Sequence, residues 1–316
     1  MLDISKSAML REARCEANSK EPFKQIGLFF LVFGIGMTIQ SVLLVPAVIA
    51  WTVSEIVLSN GVYNFDASAV MNNLPPWITL LMLFLKGIDI AAVMFYCLKK
   101  ERRLLRSMGF VREGWLKKYA LGYLTGAVMI AAALGISVAF GGTKLSVSAF
   151  STETAVMIAL FFVGYIVQGM SEEVMLRSYL LPSFACSLNR KNAAAISLGV
   201  SSLIFAALHL GNPGMTLLAF INLLLSGVFF ALLVLRTDNI WGAAGAHASW
   251  NFFQGHIFGV QVSGIESQTS VLVAKTTEKS LINGGSFGLE GGLAVTAVLL
   301  VATALLLFIP QKANKE

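Results

Sequence analysis

The chain has 316 residues, of which 56% are hydrophobic and 13% charged, and its mean hydropathy is +0.76. Soluble domains carry about 25% charged residues, so this composition cannot coat a water-facing surface and excludes the ordinary soluble classes. The formal charge of +6 does not point to nucleic acid, because the basic residues fall in short blocks between apolar runs, as topology signals do.

A bilayer-crossing helix needs about 20 predominantly apolar residues. In chain order, such runs occur near 25–50, 76–98, 119–140, 154–181, 193–211, 215–236, 240–259 and 287–309. They predict an all-α fold, a polytopic membrane helix bundle with about eight transmembrane helices. The first run has a basic flank and a signal-like Val48-Ile49-Ala50, but its apolar stretch exceeds the ~7–15 residues of a signal peptide and reads as a span. The expected organisation is a cytoplasmic segment 1–24, N-terminal transmembrane helices over 25–150, a core over 151–260, an extracytoplasmic loop over 261–286, and a last helix with a cytoplasmic tail over 287–316. The polar stretch 260–286 reads as a flexible loop or lid.

Placing the N-terminus inside puts 19 of the 23 basic residues on the cytoplasmic side, leaving Lys144, Lys275 and Lys279 outside and Lys86 within a span. The positive-inside rule then predicts cytoplasmic termini and a multi-pass protein, assigned to the plasma membrane of a prokaryote. Cys15, Cys97 and Cys186 are an odd number without a C-x-x-C pair, so no disulfide framework is indicated.

Ionisable groups inside hydrocarbon cost at least ~2.5–3.5 kcal/mol each, so each one needs a reason. Lys86 and Asp89, three apart in the second span, read as a structural pair with no chemistry. The fourth span carries Glu172, Glu173 and Arg177, the fifth ends near His209, and the seventh holds His247 and Asn251. Glu173 and Arg177 share a helix face, as do His247 and Asn251, while Glu172 is rotated by ~100° from Glu173. Glu173 is thus expected to serve Arg177, leaving Glu172 for a different function. Phe205 lies one turn before His209. A lone polar residue in a span is usually a helix-to-helix hydrogen-bonding group; this many on three spans predicts one shared polar cavity. His256 reads as interfacial, and Asn222 with Ser226 as interhelical hydrogen-bonding residues.

The strings Glu172-Glu173-Val174-Met175-Leu176-Arg177, Phe205-Ala206-Ala207-Leu208-His209 and His247-Ala248-Ser249-Trp250-Asn251 resemble the E-E-x-x-x-R, F-x-x-x-H and H-x-x-x-N motifs of the CPBP family of intramembrane proteases, also called the CAAX-protease or Abi family. The resemblance covers about 160–260. It implies an intramembrane endopeptidase acting on a membrane-tethered or lipidated peptide or protein, with the lipid bilayer as its other partner. It further implies Glu172 as the catalytic carboxylate, His209 helping to hold the attacking water, and His247 and Asn251 facing the scissile carbonyl, supported by Glu173, Arg177 and Phe205. The resemblance leaves the cofactor open between none and Zn: Glu172, His209 and His247 would make a zinc set of the His₂Glu kind. The absence of an H-E-x-x-H spacing tilts the reading toward chemistry without metal.

Depth poses a difficulty. With the fourth helix ending at Pro182, Glu172 lies ~15 Å from that end and His247 ~13 Å from Asp238, whereas His209 lies ~25 Å beyond Asn192. A cytoplasmic overhang around Asn189–Ala195 is therefore expected. Two alternatives stand beside the protease: a non-catalytic bacteriocin-immunity or membrane scaffold protein of the same family, and a proton-coupled transporter using the same ionisable groups.

Overall fold

The computed structural model describes residues 7–16, 21–58, 74–149, 151–188, 191–278 and 280–308. A short helix α1 (Ala8–Glu16) precedes α2 (Pro22–Leu58), whose 37 residues run unbroken through Val48-Ile49-Ala50, in keeping with a span. The second span is a broken helix, α3 (Pro76–Leu85) and α4 (Gly87–Phe95), meeting at Lys86. Next come α5 (Trp115–Ala139), strand β1 (Thr143–Val147), α6 (Thr152–Glu173), a π-helical turn Val174–Leu180 and α7 (Leu181–Ser187). The remainder comprises α8 (Ala193–Ala207), α9 (Leu217–Thr237), α10 (Trp241–Phe252) with a π turn Phe253–Ile257, strand β2 (Leu272–Thr276) and α11 (Leu293–Phe308). The molecule is an all-α polytopic bundle: among the described residues five helical segments are long and apolar enough to cross a membrane, and α8 and α11 are shorter apolar helices.

Several boundaries differ from the sequence expectation. Pro182 does not end the fourth helix; α6, the π turn and α7 form one helix from Thr152 to Ser187. Proline lacks the N–H that an α-helical turn would use, and the wider π turn just before it accommodates that loss. Serines of α8 also bond this stretch: Ser201 Oγ donates to the Leu176 carbonyl at 3.1 Å and Ser197 Oγ to that of Leu181. Glu172 is therefore ~22 Å from the true helix end at Ser187, and His209 is ~24 Å from the start of α8 at Ala193. The depths of Glu172 and His209 then match, while His247 lies closer to the start of its own helix at Trp241; the expected overhang at Asn189–Ala195 has its first two positions outside the described residues.

The two ends of the bundle are built differently. At one end α1 folds back, burying Met9 and Ala13 and bonding Ser7 to Asp238, while Arg106 pairs with Glu12 at 3.2 Å and Trp241 donates to the Val111 carbonyl at 2.8 Å. At the other end β1 and β2 pair antiparallel, from Thr143 opposite Thr276 to Val147 opposite Leu272. The segment 260–286 is thus a folded roof and not a free loop. His256, expected at an interface, is buried beneath it, its Nδ1 donating to the Thr269 carbonyl at 2.6 Å and its ring stacked on Phe161 at 3.9 Å. Lys6, Lys20, Arg190, Lys279, Lys312 and Lys315, which the charge argument uses, lie outside the described residues.

Candidate active site

Close helix approach brings the polar residues together. A Cβ at Gly122 would strike the Gly242 carbonyl, and one at Gly126 the Ala246 carbonyl, so α5 and α10 are held backbone to backbone. Glycines four apart on one face, with small residues opposite, allow this in a medium where apolar burial gives little driving force. Gly169 of α6 meets the Ala248 backbone in the same way. That contact sets α6 against α10 at the level of Glu172, Glu173 and His247.

His247 lies between the two glutamates. Its Nδ1 is 2.9 Å from Glu173 Oε1, and its Nε2 is 3.7 Å from Glu172 Oε2. The two carboxylates, ~100° apart around the helix, thus meet opposite nitrogens of one imidazole. Glu173 Oε1 also takes the fully buried Arg177 guanidinium at 3.2 Å, the expected pair at four residues. Arg177 donates onward to the Gly227 carbonyl at 3.1 Å and lies over the rings of Phe205 and Phe230, at 4.9 and 5.7 Å. Phe230 stacks on His247 with centroids 4.9 Å apart. An isolated buried charge costs several kcal/mol, so the guanidinium, carboxylates and imidazole must be read as one unit.

A second chain of hydrogen bonds reaches Glu172. Asn251 Nδ2 donates to Gln168 Oε1 at 3.0 Å, and Gln168 Nε2 donates to Glu172 Oε1 at 2.6 Å. Glu172 Oε2 has no hydrogen-bond partner among the described residues. It faces His247 Nε2 across a gap longer than a direct hydrogen bond, which fits one bridging water. Gln168 escaped the sequence reading, although its place one turn before Glu172 in an apolar span was a usable signal.

His209 follows the end of α8 in a turn, its Nδ1 on the Phe205 carbonyl at 2.8 Å and its ring 4.9 Å from that of Phe205. It lies within range of the Glu172 charge. A strut fixes this turn to the roof: Asn212 Nδ2 bonds the Ser263 carbonyl at 2.9 Å, Ser263 Oγ bonds Glu290 Oε2 at 2.9 Å, and Gln254, beyond Asn251, donates to the same oxygen at 3.3 Å. Burial pushes the Glu290 carboxyl above its ordinary value, against the stabilising bonds from Ser263. Asn222 is structural, binding the Glu290 and Gly292 carbonyls and accepting from Thr296.

The zinc expectation does not fit this donor set. Among the described residues no group of three or more His, Cys, Asp or Glu side chains is placed to hold a metal ion. The Nδ1 atoms of His247 and His209 already serve Glu173 and the Phe205 carbonyl.

Residues 152–253 match the family model of Rce1-like type II CAAX prenyl endopeptidases. This segment is similar to the CAAX protease family. The matched stretch is about a third of the chain and contains Gln168, Glu172, Glu173, Arg177, Phe205, His209, His247 and Asn251. Neither the curated proteins nor the solved structures gave a match. The match, together with the apolar helices, supports a membrane-embedded protein related to a protease family.

Proposed function

We propose that the protein is an intramembrane endopeptidase that hydrolyses a peptide bond of a membrane-tethered substrate with a water activated by Glu172. The observation that carries this reading is the gap between Glu172 Oε2 and His247 Nε2, 3.7 Å wide and lined by a carboxylate oxygen with no other partner. A water there is held by a base on one side and an imidazole on the other. Glu172 takes a proton from that water as its oxygen attacks the carbonyl carbon, with His209 keeping the water in place. The negative charge then moves from Glu172 to the carbonyl oxygen.

His247 and Asn251 receive that oxyanion. With Nδ1 bonded to Glu173, the imidazolium form of His247 presents Nε2–H to the developing charge, and Arg177 holds Glu173 in position. Asn251 uses one N–H for Gln168 and has a second for the oxyanion. Collapse of the tetrahedral intermediate breaks the C–N bond, and the proton held by Glu172 passes to the leaving amine. Hydrolysis puts one solvent oxygen into the new carboxylate. The test is to incubate the protein in liposomes with membrane-tethered peptides in ¹⁸O-water and weigh the products. Fragments carrying one ¹⁸O at a new C-terminus are expected; intact peptides throughout the panel would reject the reading.

A further inference from the structure

Gln168 joins two residues of the proposed chemistry without being ionisable itself. It is 9% exposed, and the neighbouring Gly169, whose Cβ would strike the Ala248 backbone nitrogen at 2.7 Å, brings its turn of α6 within reach of Asn251, three residues further along α10. Gln168 Nε2 donates to Glu172 Oε1 at 2.6 Å and Gln168 Oε1 accepts from Asn251 Nδ2 at 3.0 Å. Both ends of the buried amide are thus used, as a polar group out of water requires.

The direction of this chain follows from the charge at one end. An ionised carboxylate only accepts, so Gln168 must turn its NH₂ toward Glu172; its oxygen then faces Asn251, which must answer with an NH₂ of its own. Turned over, the Gln168 oxygen would meet a carboxylate oxygen with no proton between them. Two consequences reach the reacting atoms. Glu172 Oε1 is occupied, so the proton taken from water goes to Oε2, the oxygen across from His247 Nε2, and leaves from there to the amine. Asn251 is held with its NH₂ toward Gln168, which keeps the second hydrogen on that nitrogen for the oxyanion. An Asn251 amide released from Gln168 is free to turn over and present its own oxygen, which repels the oxyanion instead of stabilising it.

We propose that Gln168 is a positioning residue for this reaction: it reserves Glu172 Oε2 for the attacking water and fixes the polarity of Asn251. This rests on the proteolytic reading above. Gln168 acts through Glu172 and Asn251 and not on the substrate.

The test replaces Gln168 with Met, which keeps the length of the side chain and removes both hydrogen bonds. Because the oxyanion forms only on the way to the transition state, kcat on a membrane-tethered peptide is expected to fall about 100-fold in Gln168→Met, with KM within about twofold of wild type. A tethered peptidyl aldehyde, whose hydrate imitates the tetrahedral intermediate, is expected to lose affinity in step with kcat. In the Asn251→Ala background the same replacement is expected to cost about tenfold at most, since the amide that Gln168 orients is already gone. An unchanged kcat, a fall carried by KM alone, or an equal loss in both backgrounds would overturn the proposal. Wild type that cleaves none of the peptides would reject the proteolytic reading and this proposal with it, whereas wild-type cleavage matched by Gln168→Met rejects this proposal alone. If Gln168→Met does not fold, ¹H–¹⁵N spectra of the wild-type side-chain amides decide. One Gln168 amide proton is expected downfield of an ordinary glutamine amide, as a bond to a charged acceptor requires, and is expected to return toward it in Glu172→Gln. An ordinary shift in wild type would overturn the proposal.

Discussion

At the scale of single residues, the buried pair of Glu173 and Arg177 would hold His247 in place for the proposed chemistry without touching the substrate. Removing the cation leaves a carboxylate buried beside another carboxylate, and breaking a buried pair from one side costs about 3–5 kcal/mol. Arg177→Ala is therefore expected to lower the thermal stability of the detergent-solubilised protein and its activity together. A normally stable, fully active Arg177→Ala protein would contradict this role. The pair at four residues was legible in the sequence, because helical spacing alone puts residues 173 and 177 on one face. The partner of His247 was not, because which carboxylate an imidazole meets depends on the approach of α6 to α10, set by Gly169 and Ala248. Likewise the motif pattern points to Asn251, but its route to Glu172 runs through Gln168, which no ionisable-residue search finds.

At the scale of elements, two devices position the site. The first is the contact of α5 with α10 through Gly122 and Gly126, a spacing visible in the sequence that only the packed structure links to His247. Gly126→Leu is expected to push α10 away and abolish activity; a folded, active variant would show that the helices tolerate separation. The second is the strut from Gln254 through Glu290 and Ser263 to the turn after His209. Glu290→Ala frees that turn, and misplacement of about 1 Å can cost up to 100-fold. A 10- to 100-fold loss of turnover with little change in melting temperature is expected, and wild-type turnover would refute the positioning role. Strands β1 and β2 escaped the sequence reading because each is five residues long and pairs across more than a hundred residues of chain, a contact that local periodicity does not encode. The helix through Pro182 escaped it because a proline usually ends a helix, and the π turn that precedes it has no mark in the local spacing.

At the scale of the whole molecule, the apolar runs located the bundle well, since length and hydropathy are local properties, but they overstated the lengths of α8 and α11. The positive-inside reading assigns the end formed by α1, Arg103, Arg106 and Arg236 to the cytoplasm and the end formed by β1 and β2, with Lys144 and Lys275, to the outside. Single cysteines placed at Ser7 and at Gln268 test it by labelling with an impermeant thiol reagent in intact cells. Labelling at 268 and not at 7 is expected; the reverse would invert the topology and move the substrate's entry side.

The central claim is that the Glu172 carboxylate activates water within this bundle. The direct measurement is cleavage of tethered peptides by Glu172→Gln beside wild type, each with and without a zinc chelator, with folding checked by thermal unfolding. The account predicts no cleavage by the well-folded variant and chelator-insensitive cleavage by wild type. Full activity in Glu172→Gln would contradict it, and loss of wild-type activity to the chelator would replace the metal-free mechanism.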